Sequence, residues 1–303
     1  MTGQLTISSR IQLPPTQQEA LQRFCQAVLT RFPGFVEEII LYGSQARGDA
    51  DAESDVDLLL LVNWEEEMLG GGRYRAHYGD PRWQEIVDIT YDLMLDYGVL
   101  ISPLLMSRAA WKRNFSLRKN FEQDGIRIWP VATPIREPQS AEPKGLIRLG
   151  EQPPEYQVDS GTEHPEEAAA WLTLADEKLP VARQLLAAEL FDEAVSKSYY
   201  VMFYAAKAAL ALEDIRTHRH SGVMAEFGRL FAKTGRVPKA LGRQLRRAMK
   251  DREAADYNPN RRAPREDAER PLAGATEFLQ AIKALFENRN RSAILESSVE
   301  TPG

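Results

Sequence analysis

The sequence predicts an α/β domain followed by an all-α helical bundle, and three observations predict it. Helical and strand patterns alternate as far as residue 130; a proline-rich stretch follows; and beyond residue 165 strand signals vanish while Ala, Leu, Arg and Glu prevail. The 303 residues agree with two domains at roughly 100 to 200 residues each. The expected division is an α/β domain over 1–130, a linker over 131–165, helices over 166–290 and a flexible tail over 291–303.

Taken in order, Leu21, Phe24, Val28, Leu29 and Phe32 recur at helical spacing after Pro14-Pro15, and Pro33-Gly34 ends that first helix. Two apolar runs of strand length follow, 39–42 and 56–62, separated by a polar turn rich in Gly, Asp and Ser. A second helix over Trp83 to Tyr97 leads through Gly98 into a further strand, Val99 to Leu105. Between Pro130 and Pro165 seven prolines fall in 36 residues, without hydrophobic periodicity, which marks the linker. The helices beyond it are Trp171 to Leu190, Phe191 to Leu212, His220 to Lys233, Pro238 to Ala255 and Pro264 to Phe286. Pro180 calls for a kink in the first of these or its division in two. Arg291 to Gly303 is expected to fray.

Composition narrows the function classes. With 43% hydrophobic and 27% charged residues the chain is neither collagen-like nor mostly disordered, and no uncharged apolar run reaches the ~18 residues of a membrane span. The N-terminal stretch, Met1 to Thr16, lacks the apolar segment of a secretory signal, so a cytoplasmic protein is expected. A single cysteine, Cys25, excludes an internal disulfide and a cysteine-rich zinc site. The net charge of -6 conceals an uneven distribution. Residues 1–130 carry 13 basic and 18 acidic groups, residues 166–303 carry 22 and 20, and the stretch Arg216 to Arg262 has 13 basic against 4 acidic, a net +9 suited to a polyanion such as RNA.

The most informative segment is Leu41-Tyr42-Gly43-Ser44-Gln45-Ala46-Arg47-Gly48, followed by Ser54-Asp55-Val56-Asp57-Leu58. A strand ending in Gly-Ser lets backbone N–H groups approach a phosphate without a Cβ in the way, and the hydroxyl adds a donor. Asp55 and Asp57 are separated by one residue, so a strand's period of two sends both carboxylates to one face. That pair suits Mg²⁺, which prefers oxygen ligands and commonly combines one or two carboxylates with substrate phosphates. Either half alone is commonplace; in this order, flanked by apolar strands, they form a specific pattern.

These residues resemble the minimal nucleotidyltransferases of the DNA polymerase beta-type superfamily, over about residues 15–130. The resemblance implies Gly43 and Ser44 at the triphosphate of a nucleotide such as ATP, Arg47 supporting the turn or meeting a phosphate, and Asp55 and Asp57 as catalytic Mg²⁺ ligands. It further implies transfer of a nucleoside monophosphate with release of pyrophosphate. Members of that superfamily with full activity usually carry a third carboxylate on a later strand. The matching strand here, Val99 to Leu105, has Ser102-Pro103 and no acid. Asp88, Asp92 and Asp96 precede it at helical spacing, as one exposed face would.

In the helical region, Ser198 to Ala208 is an aromatic helix, followed by Thr217-His218-Arg219-His220 and by Arg252-Glu253-Ala254-Ala255-Asp256-Tyr257. Its aromatic stripe reads most simply as bundle core or the seam of a homodimer. Residues 166–288 resemble the HEPN family. In HEPN ribonucleases the catalytic pair is an Arg followed four to six residues later by a His. Here Tyr257 follows Arg252, and a phenol with pKa near 10 is a poor general base at neutral pH. His218 and His220 lie in a polar loop, where a surface or helix-capping role is the simpler reading. Paired nucleotidyltransferase and HEPN modules form toxin–antitoxin-like systems, and by that resemblance Tyr257 is a candidate acceptor of AMP. Two other functions are compatible with the sequence: nucleotide transfer to a small molecule of antibiotic type, and a catalytically idle module that binds nucleotide or RNA as a scaffold.

Overall fold

A computed structural model describes residues 13–50, 54–65, 68–70, 73–75, 79–113, 118, 121, 124–130, 165–217, 220–257 and 261–299. Residues 131–164 of the expected linker and the last four residues lie outside that set. Packing divides the chain into two units, one drawn from 1–64 and 102–163, the other from 65–101 and 164–303.

The first unit is α/β, as expected. Helix α1 (Pro15–Arg31) has proline in its first turn, where the missing N–H costs nothing, and buries Leu21, Phe24, Cys25 and Val28. Strand β1 (Val36–Tyr42) runs into the five-residue helix α2 (Gly43–Arg47), and β2 (Val56–Val62) returns antiparallel to β1 with Tyr42 opposite Asp57. Together with β5 (Ile101–Ser107) and β6 (Ile126–Trp129) these strands form a sheet of order β5-β2-β1-β6. Both sheet faces are buried, which is why β2 reads as a continuous apolar run and not as an alternation. Ile40, Leu59, Leu61 and Met106 cluster on one face with Phe121 and with Ala110 of helix α4 (Arg108–Arg113). The expected strand at Val99 begins two residues later, at Ile101. Pro103 is tolerated in β5 because that strand lies at the sheet edge, where an absent N–H breaks no ladder.

The second unit is built on helices α5 (Pro165–Ala187), α6 (Phe191–Ala211), α7 (His220–Phe227), α8 (Lys239–Tyr257) and α9 (Arg265–Val299), with a π-helical turn at Gly228–Ala232. Strands β3 (Met68–Gly70), β4 (Arg73–Arg75) and β7 (Arg261–Arg262) add a small sheet. This grouping crosses the division drawn at residue 130. Helix α3 (Pro81–Tyr97) places Tyr91, Met94 and Leu95 in one core with Tyr199, Phe227, Phe231, Leu241 and Phe278. Its start is fixed by Asp80, whose carboxylate accepts from the Arg82 N–H at 2.8 Å, and its end by Gly98 at φ +67°.

Two helix expectations can be set against the structure. Helix α5 is a single helix through Pro180, so of the kink and the division expected there the division does not occur. Helix α9 continues to Val299, past Arg291 where fraying was expected. Among the described residues no helix is long and apolar enough to cross a membrane.

Candidate active site and its companion cluster

The Gly-Ser segment and the two aspartates meet at one end of the first unit's sheet. Gly43 follows the last residue of β1 and opens α2 at φ +75°, in the left-handed region that favours glycine. A Cβ on Gly43 would lie 2.4 Å from Asp57 Oδ2 and 3.2 Å from its Cγ, so the backbone at 43 approaches the Asp57 carboxylate more closely than any other residue type permits. The expected turn is thus one short helical turn, closed by Gly48 at φ +80°, whose N–H donates to the Ser44 carbonyl at 2.9 Å. Asp55 lies immediately ahead of β2 and Asp57 is its second residue, and both are half-buried.

Ser102 takes the place on β5 where a third acid was sought. It is buried, and its hydroxyl donates to Asp55 Oδ2 at 2.9 Å. Among the described residues no group of three or more His, Cys, Asp or Glu side chains is placed to hold a metal. Arg47, in the last turn of α2, pairs with Asp49 at 3.3 Å, an exposed contact worth little in energy. Two carboxylates beside the bare backbone of Gly43 form an oxygen-rich corner suited to a hard divalent cation.

In the second unit, Arg252 lies on α8 with its Nη1 3.3 Å from the Tyr200 hydroxyl and its guanidinium carbon 5.5 Å from the centre of the Tyr199 ring. The side chain of Tyr257, and all of His218, lie outside the described residues. His220 is not a surface residue. It opens α7, stacks on Phe203 at 4.4 Å between ring centres, and its Nδ1 bonds the Tyr199 hydroxyl. Burial, and then the positive charge of Arg252, push its pKa down to about 4. Tyr199, fully buried, has its pKa raised by desolvation, so its O–H is the donor and His220 keeps its proton on Nε2. Sequence reasoning undervalued His220 because the loop before it is polar; the signal was the aromatic pair Tyr199 and Phe203, four residues apart on one helix face.

The basic stretch 216–262 is less available than its +9 suggests. Arg243 makes a two-pronged pair with Asp92 at 2.9 and 2.8 Å, and Arg247 pairs with Asp88, its Nε 2.6 Å from Oδ1. Arg246 is fully buried and donates to the Ile101 carbonyl at 2.5 Å. Asp88 and Asp92, expected on a solvated face, therefore face the arginines of α8, while Asp96 is exposed. These three arginines of the stretch read as suited to RNA are committed to contacts inside their own unit.

Both halves of the chain are similar to known proteins. Residues 21–126 match the family model of the nucleotidyltransferase domain and residues 168–285 that of the HEPN domain. A UPF0332 protein of Thermotoga maritima is 36% identical over 122 residues, which is 40% of this chain and 92% of that protein. Two proteins of Methanocaldococcus jannaschii each match part of the chain. One is named "Putative toxin" (34% identical, 38% of this chain, 79% of its own length), and the other "Putative protein adenylyltransferase" (29% identical, 36% of this chain, 94% of its own length).

Proposed function

The chain belongs to the HEPN family and carries a nucleotidyltransferase domain ahead of its HEPN domain, and from that premise we propose that it transfers AMP from ATP to a protein hydroxyl with the help of Mg²⁺. The observation that carries the reading is the approach of Gly43 to the Asp57 carboxylate, with Asp55 held two residues before it on the same chain segment. Gly43 and Ser44 would receive the triphosphate, and Asp55 and Asp57 would hold the cation. When bound, that cation would offset phosphate charge and favour the attacking hydroxyl as nucleophile. The acceptor hydroxyl would give up its proton to water as its oxygen forms a bond to the α-phosphorus, the bond from that phosphorus to the bridging oxygen of the β-phosphate breaks, and pyrophosphate departs.

The relatives named for toxin and adenylyltransferase support a toxin–antitoxin-like pairing within one chain, with Tyr257 as a candidate acceptor. For RNA cleavage the helical domain is poorly equipped: Tyr257 replaces the motif histidine, and His220 is a weak base with Nδ1 already engaged. A second reading, a module that binds nucleotide without transferring it, is favoured by one observation, the hydroxyl of Ser102 where an acid was sought.

Pyrophosphate release from ATP in the presence of Mg²⁺ separates the two. Transfer predicts release by the wild type that Asp55→Asn and Asp57→Asn each abolish, with one AMP mass added to the acceptor. ATP binding without release supports the idle module and overturns the proposal.

A further inference from the structure

Each of the two site carboxylates lies beside a different neighbouring element. Asp57 is met by the bare backbone of Gly43, and Asp55 by the hydroxyl of Ser102 from the edge strand β5. Ser102 is 6% exposed, so water has little access to replace it as the donor. The next residue of β5 on the same face is Leu104, which offers no polar group. Ser102 thus brings a hydrogen-bond donor from β5 to Asp55, at Oδ2.

We propose that Ser102 is a positioning residue for the divalent cation, fixing the Asp55 carboxylate so that it meets the ion in a single orientation. The proposal rests on the reading of Asp55 as a metal ligand. Its physical basis is the rigidity that Mg²⁺ demands: near-octahedral geometry with short metal–oxygen distances, which a freely rotating carboxylate meets only at an entropic cost. A hydrogen bond from a buried donor removes that freedom beforehand. Outer partners of this kind typically account for 10- to 100-fold in metal affinity. A hydroxyl does so without adding charge, so the corner keeps two carboxylates and is not overloaded when the cation is absent.

The test is a titration of the full chain with Mn²⁺, followed by the loss of the free-ion electron paramagnetic resonance signal, in the presence of a non-hydrolysable ATP analogue. Ser102→Ala is expected to weaken Mn²⁺ binding about tenfold or more, with binding of the analogue in the absence of metal unchanged. Ser102→Thr, which keeps the hydroxyl, is expected to restore the affinity. Ser102→Cys keeps the volume but donates poorly, and is expected to behave like Ser102→Ala; it keeps the test open if the alanine variant does not fold. Asp55→Asn is the control on the underlying reading. If Asp55→Asn binds Mn²⁺ as the wild type does, Asp55 is no ligand and both readings fail. If Asp55→Asn loses Mn²⁺ while folded Ser102→Ala and Ser102→Cys bind it as tightly as the wild type, the positioning role alone is overturned.

Discussion

Replacing Gly43 by alanine tests the geometry of the site against a control within the same helix. Gly43 and Gly48 flank α2 with nearly the same backbone angle, φ +75° and +80°, so alanine at either position incurs the same left-handed penalty, about 1–2 kcal/mol. Only at Gly43 does the added methyl meet anything. It would sit 2.4 Å from Asp57 Oδ2, against an ordinary contact beginning at 3.4 Å, whereas around Gly48 nothing lies within 4 Å. Relief of the clash requires the carboxylate or the backbone to give by about 1 Å, and a displacement of that size at a reacting centre costs on the order of 100-fold in rate. Both variants should therefore lose a similar few degrees of Tm, roughly 2–4 °C for each kcal/mol in a chain of this size or smaller. In the pyrophosphate assay Gly48→Ala should retain most of its activity and Gly43→Ala should lose about 100-fold. Equal activities in the two folded variants would refute the reasoning, because the clash with Asp57 is the only difference invoked.

Other predictions concern the helical unit. Tyr91 is 1% exposed and its hydroxyl has no hydrogen-bond partner among the described residues, while burial raises its pKa. Tyr91→Phe should leave stability unchanged or raise it by about 1 kcal/mol in chemical denaturation, since an unpaired buried hydroxyl is costly; a loss of several kcal/mol would show that the hydroxyl is satisfied. Asp251 is buried beside the Trp83 indole N–H at 3.2 Å and Arg270 at 3.3 Å, and desolvation raises its pKa from 3.8 to about 7. The folded state thus holds a proton that the unfolded state releases, so this group's contribution is full below pH ~3.8 and is lost as pH rises through about 7. His220 acts in the opposite sense: its pKa is depressed to about 4, so its contribution is present above its ordinary 6.5 and lost as pH falls through about 4. Thermal melts across pH 4–7 should show Asp251→Asn without the decline toward neutrality and His220→Gln without the decline toward acid.

Much of this was legible in the sequence because particular residues leave particular patterns. The apolar runs of β1 and β2 announced buried strands, and Gly43-Ser44 with Asp55 and Asp57 announced the site they assemble. What periodicity cannot show is which charge stands opposite a helix face. Asp88 and Asp92, four residues apart, have the spacing of a solvated stripe, yet they meet Arg247 and Arg243 from a helix some 150 residues later. For the same reason the basic run looked available, although Arg246 within it is fully buried. The helix over Trp83 to Tyr97 was visible, but nothing local states that its Tyr91, Met94 and Leu95 belong to the helical core. Pro180 left a kink and a division in two both open because the cost of a lost N–H is local, whereas the packing that keeps α5 a single helix is not.

The central claim is that the corner formed by Gly43, Asp55 and Asp57 transfers the nucleotidyl group of ATP. Incubation of the full chain with Mg²⁺ and ATP labelled at either the α- or the γ-phosphate tests it most directly. The account predicts that label from the α-phosphate becomes covalently attached to the acceptor, that label from the γ-phosphate leaves as pyrophosphate, and that Asp57→Asn abolishes both. Attachment of the γ-label, or no attachment from either under conditions where ATP binds, would contradict it.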